Sequence, residues 1–80
     1  MIRVTLYTRA GCCLCDEAKQ VIESARRRAT FDYEEIDIDR HPEFLPLYNE
    51  EVPVIAIDGR KAFKFRVPMD EFLKRLAARA

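Results

Sequence analysis

The chain has 80 residues, 49% of them hydrophobic and 35% charged, with 14 Lys plus Arg balanced by 14 Asp plus Glu. This length holds one domain, residues 1–80, around one core, and the apolar content excludes a disordered chain. The zero net charge leaves no electrostatic footprint for nucleic acid or an anionic membrane, and no apolar run approaches the ~20 residues of a membrane span. Met1 to Thr8 is too short and too alternating for an export signal. A cytoplasmic, reducing location is therefore expected, where clustered cysteines are more often catalytic or metal-binding than structural.

Ile2 to Thr8 reads as a strand, with Ile2, Val4 and Leu6 on one side and Tyr7 covering the other. After the turn Arg9-Ala10-Gly11, a helix carries Leu14, Ala18, Val21, Ile22 and Ala25 at helical spacing. Asp16 and Glu17 fall in its first turn and Arg26-Arg27-Arg28 in its last, which suits the helix dipole, and Glu23 with Arg27 forms an i,i+4 pair. Phe31 to Asp39 is a second strand, acidic enough to lie at a sheet edge. His41-Pro42 opens a short helix around Phe44, Leu47 and Tyr48, with Pro42 at the first helical position; Pro46 sits badly inside it, so regular structure is expected only beyond Pro46.

Val54-Ile55-Ala56-Ile57 is a continuous apolar run, as in a strand buried on both faces. Asp58-Gly59 is the sequence of a two-residue hairpin turn. Beyond it Phe63, Phe65 and Val67 alternate with Ala62, Lys64 and Arg66, and the cations, Arg60 included, mark a solvated, protected edge strand. A last helix starts near Pro68 with Met69, Phe72, Leu73, Leu76 and Ala77 on its apolar stripe.

All three cysteines lie in Gly11-Cys12-Cys13-Leu14-Cys15, where the first strand passes into the first helix. Two thiols three positions apart at a helix start are close enough to close a disulfide, and the helix end favours one thiolate. Cys12-x-x-Cys15 in a βαβ context reads as a thioredoxin-like redox motif. Cys13, adjacent to Cys12, cannot easily join it in an unstrained bridge and reads as a packed or solvent-facing thiol.

Tyr7-Thr8-Arg9-x-x-Cys12-x-x-Cys15 resembles the glutaredoxin opening, in which a basic residue stands three before the first cysteine. Val52-Pro53 resembles that family's Val-Pro pair, and the resemblance covers essentially the whole chain. It implies an α/β thioredoxin-superfamily fold, β-α-β-α-β-β-α, with a four-stranded mixed sheet and helices on both faces. It also implies that Pro53 is cis and faces the redox cysteines. Val52 would offer its backbone to a substrate, Arg9 would receive a glutathione carboxylate, and Asp70 keeps an acidic residue of the stretch that holds the rest of that tripeptide.

The chain departs from the family in carrying Cys13-Leu14 where Pro-Tyr is usual, and Arg66-Val67-Pro68-Met69-Asp70 where a Gly-Gly pair precedes the acidic residues. The expected activity is that of a monomeric thiol–disulfide oxidoreductase or electron carrier, with Cys12 attacking and Cys15 resolving the mixed disulfide. Its partners would be protein or small-molecule disulfides. No cofactor is expected beyond the Cys12–Cys15 disulfide itself, and dithiols are expected to serve as reductant better than glutathione.

The alternative is a metal-handling module, holding Cu(I) or a glutaredoxin-type iron–sulfur cluster through the thiolates. Small copper domains run β-α-β-β-α-β and usually place Met two before the first cysteine, where this chain has Ala10. His41 would complete a zinc set with the three thiols, but their tight spacing cannot readily surround one ion, and helix capping suffices for His41.

Overall fold

The computed structural model describes residues 2–79, so of the expected domain Met1 and Ala80 lie outside the described residues. β1 (Arg3–Thr8) sits inside a four-stranded sheet of order β2-β1-β3-β4. It pairs parallel with β2 (Asp32–Asp37), Val4 opposite Tyr33, and antiparallel with β3 (Val54–Ile57), Leu6 opposite Ile55. β3 pairs antiparallel with β4 (Arg60–Lys64) across Asp58-Gly59, whose φ values of 51° and 84° are the two positive angles of a primed hairpin turn. The mixed sheet expected from the element order is the one observed.

The period-two pattern of β1 sorts its side chains between two layers. Val4 and Leu6, with Ile55 and Ile57 of β3, enter one core cluster with Ala18, Ile22 and Ala25 of α1 (Cys13–Ala25) and with Phe72 and Leu76 of α3 (Met69–Arg79). Tyr7 turns to the other face, where its ring centroid lies 4.9 Å from Phe44 and 4.6 Å from Tyr48 of α2 (Leu45–Tyr48). Helices thus cover both faces. The Asp58 carboxylate binds the hairpin to its surroundings, accepting from the Arg3 N–H at 2.9 Å and from Arg79 Nε at 2.8 Å.

Several local expectations are corrected. α1 stops at Ala25, so Arg26–Arg28 lie in the turn beyond the helix, and Glu23 meets Arg26 at 3.6 Å rather than Arg27. The second strand ends at Asp37; Ile38–Arg40 form a 3₁₀ turn capped by the Asp37 carboxylate, which accepts from the Asp39 N–H at 3.0 Å. That turn lets Ile38 become fully buried while half-buried Ile36 stays in the strand. Pro42 lies in a turn, and Pro46 takes the early helical position in α2, where its missing N–H costs nothing. Ala77 faces solvent rather than the core.

The alternation Phe63, Phe65, Val67 breaks at Phe65. Its N–H donates to the Pro53 carbonyl at 2.8 Å, and the Arg66 N–H reaches back to the Lys64 carbonyl at 2.8 Å. The φ of 68° at Phe65 closes this three-residue turn, a strained form for a bulky side chain. Phe65 is left exposed, and the chain is redirected so that Val67 is buried on the way into α3.

Phe72 is fully buried, edge-on to Phe31 at 5.9 Å and to Phe63 at 6.2 Å. Phe72→Ala should cost ~3–5 kcal/mol, most of the stability of a domain this small, read as a fall in the urea midpoint. A change below ~1 kcal/mol would show that α3 does not complete the core.

Candidate redox site

The C-terminal end of β1, the start of α1, the entry to β3 and the exit of β4 come together at one end of the sheet. The pairing of Tyr7 with Val54 and of Val54 with Lys64 sets this arrangement. Gly11 turns the chain from β1 into α1 at φ 77°; a Cβ there would meet nothing within 4 Å, so the backbone angle is what favours glycine.

Cys12 is the N-cap of α1, with extended backbone angles, and its Sγ accepts the Cys15 N–H at 3.1 Å. One of the otherwise unpaired amides of the first helical turn is thereby directed at sulfur, in the direction of the helix dipole. Cys12 and Cys15 are joined as a disulfide, with Cα atoms 5.2 Å apart, inside the usual span of roughly 4.4–6.8 Å. Cys12 is half-buried and Cys15 is 1% exposed, so an attacking group can reach the first sulfur and not the second. Cys13 is free and exposed at the first position of α1.

The Val52-Pro53 peptide is cis. Pro53 is buried beside the start of β3, and Val52 makes no backbone hydrogen bond among the described residues. Asp70 is exposed in the first turn of α3, without an ion pair among the described residues. A groove of about 280 Å³ runs between α1 and the β4–α3 connection, lined by Leu14, Val21, Phe65, Val67 and Pro68 among others. Leu14, which lies between the two redox cysteines in sequence, lines this groove, while neither cysteine does.

Arg9 stands apart from these groups, bound toward the α2 face. Its Nη2 and Nε donate to Asp39 at 2.6 and 3.3 Å, and its Nη1 donates to the Asn49 carbonyl and Oδ1 at 3.1 and 3.0 Å. Neither Asp39 nor Asn49 could be tied to Arg9 from the sequence, because they lie 30 and 40 positions away. Nothing in the local pattern distinguishes them from other surface polar residues. His41 is similarly occupied, its Nδ1 lying 2.9 Å from the Asp37 carbonyl. Among the described residues no group of three or more His, Cys, Asp or Glu is placed to share a metal ion.

The Arg9 hydrogen bond and charge hold the Asp39 carboxyl below its ordinary range. A carboxyl with a lowered folded pKa stabilises the fold above its unfolded value and loses that contribution as pH falls through the folded value. Asp39→Asn should therefore lower the urea midpoint at pH 7, and the gap to wild type should close as both are titrated below about pH 4. A gap that persists unchanged in acid would show that Asp39 acts through something other than its charge.

The sequence matches the glutaredoxin-like domain family over residues 3–77. A Dictyostelium discoideum protein, described as a glutaredoxin-like protein YDR286C homolog, is 36% identical over 76 residues, 88% of this chain and 70% of that protein. Among solved structures, the structural-genomics target XcR50 from X. campestris has a TM-score of 0.76 at 29% identity, covering 94% of this chain and 96% of that one. Glutaredoxin 1 from Francisella tularensis, solved with cacodylate, has a TM-score of 0.55 at 28% identity, covering 99% and 95% of the two chains. The Drosophila thioredoxin Deadhead shares the fold, with a TM-score of 0.67 at 19% identity over 99% of this chain and 81% of that one. With a cysteine pair at disulfide distance on a thioredoxin fold, the chain belongs to the glutaredoxin-like family of the thioredoxin superfamily.

Proposed function

We propose that the protein is a thiol–disulfide oxidoreductase in which Cys12 exchanges with substrate and Cys15 resolves. The observation that carries this reading is the asymmetry of the pair: Cys12 sits half-exposed at the helix N-cap with an N–H on its sulfur, while Cys15 is buried behind it. In the reduced protein the Cys12 thiolate attacks a substrate disulfide, forming Cys12–S–S–R and releasing the other half as a thiol. Cys15 then attacks the Cys12 sulfur, closes the intramolecular bridge and releases RSH, its own proton passing to the leaving thiolate. The unpaired backbone at Val52 supports docking of an extended substrate segment, as a strand adds to a sheet edge.

The Cys12 thiolate should form well below the ~8.5 of a free thiol, which alkylation followed against pH will read. Cys12→Ser should abolish disulfide reduction and Cys15→Ser should accumulate mixed disulfides. Cys13→Ala should remain within a few-fold of wild type. Loss of activity in Cys13→Ala equal to that in Cys12→Ser would overturn the assignment.

The electron donor is read as a dithiol rather than glutathione. Two features support this. Arg9, at the position that resembles a carboxylate receiver, already spends its donors on Asp39 and Asn49. In the β4–α3 connection the Phe65 and Arg66 N–H groups are consumed by Pro53 and Lys64, and Pro68 has none. Losing about two charge-assisted hydrogen bonds, at roughly 1.5–3 kcal/mol each, weakens glutathione by two or more orders of magnitude. Reduction assays with a dithiol and with glutathione plus its reductase compare the two directly. Efficient, saturable turnover at low-millimolar glutathione would sink the dithiol reading while leaving the cysteine roles intact.

A further inference from the structure

The Thr8 hydroxyl is the one polar side-chain atom close to the redox loop that is buried and without a hydrogen-bond partner; Tyr33, on β2, is the other orphan among the described residues. Thr8 is 7% exposed and closes β1, on the same face as Val4 and Leu6. Cys15 opens the matching row on α1, followed by Ala18, Ile22 and Ala25. These two rows pack against each other in the core, and α1 returns along β1 after a turn of four residues, so the end of the strand row meets the beginning of the helix row. Thr8 and Cys15 therefore lie at the same end of these two rows, beneath the redox loop, with Pro53 opposite Thr8 by continuation of the β1–β3 register.

Leaving a buried hydroxyl unpaired is destabilising, a cost that a Val of the same shape would avoid. In the disulfide this hydroxyl has no partner, and the sulfurs, bearing no charge, are only weak acceptors. Opening the bridge changes that. When a donor thiolate attacks Cys12 Sγ, the Cys12–Cys15 bond breaks and the electron pair leaves on Cys15, as a thiolate in a site closed to water.

We infer that Thr8 is a redox-state-dependent hydrogen-bond donor to Cys15, unpaired in the disulfide and engaged with the Cys15 sulfur once the bridge opens. It stabilises the leaving thiolate during reduction and, in resolution, the same thiolate before it attacks. Among the described residues the buried polar or charged side chains are Thr5 and Thr8, and the Thr5 hydroxyl is already bonded to Glu34, so the Thr8 hydroxyl is the side-chain dipole available to this buried sulfur. This inference rests on the redox reading of the pair.

The test compares wild type with Thr8→Val, which keeps the shape, and Thr8→Ser, which keeps the hydroxyl. Residue-resolved alkylation of the reduced protein against pH should show Cys15 requiring a higher pH in Thr8→Val, with the Cys12 profile unmoved. The disulfide equilibrium with dithiothreitol should shift at least tenfold toward the oxidised form, about 30 mV for a two-electron couple, and Thr8→Ser should restore both readouts. The oxidised Thr8→Val protein should melt at or above wild type. Wild-type values for Cys15 and for the equilibrium in Thr8→Val would overturn the proposal. So would an oxidised Thr8→Val that melts lower or fails to fold, because it would reveal a hydroxyl partner in the disulfide state. Failure of wild type itself to cycle between dithiol and disulfide would instead defeat the redox reading on which the proposal stands.

Discussion

β1 carries the organisation of this molecule. It is hydrogen-bonded on both sides, parallel to β2 and antiparallel to β3, and it is covered by α1 and α3 on one face and by α2 on the other. A strand held in four directions has little freedom to slide, since a one-residue slip would exchange Leu6 for Tyr7 between two layers of different composition. Its C-terminal end is therefore a fixed point. The redox loop, the start of α1 and the entry to β3 are all placed relative to it.

That rigidity has a chemical consequence at Cys12. A helix N-cap holds a side chain where amides of the first turn point, and here the cap is a sulfur rather than the usual oxygen. The same interaction that ends the helix properly also favours negative charge on the exposed sulfur. Cys15, one turn in, is assigned to the core by the periodicity of the helix. Capping and burial thus divide an otherwise symmetric pair of thiols into an outer and an inner one.

The other half of the site is built by the connection between β4 and α3. Pro53 offers a carbonyl to the Phe65 N–H, and the chain turns through a left-handed residue before Val67 re-enters the core. This consumes backbone donors and leaves an apolar groove beside Leu14, bordered by Phe65 and Pro68. On the opposite side Arg9 is neutralised by Asp39 and linked to Asn49, joining the redox loop to the segment around α2. The amides of Phe65 and Arg66 and the guanidinium of Arg9 are thereby satisfied within the fold.

The element order and the cysteine spacing were legible in the sequence because each depends on short-range regularities. Alternation marks β1, a helical repeat marks α1, an apolar run marks β3, and Asp58-Gly59 can adopt the two positive φ angles its turn requires. The Val52-Pro53 pair could be recognised through the chain's resemblance to the glutaredoxins. What the tertiary structure alone decided are matters of long-range pairing. Arg9 meets partners 30 and 40 residues away, the β4 alternation gives way at Phe65 to a hydrogen bond with Pro53, and Thr8 is left without a partner. No local pattern encodes these outcomes, because whether a donor is free or occupied depends on which other segment the completed sheet and its helices bring against it.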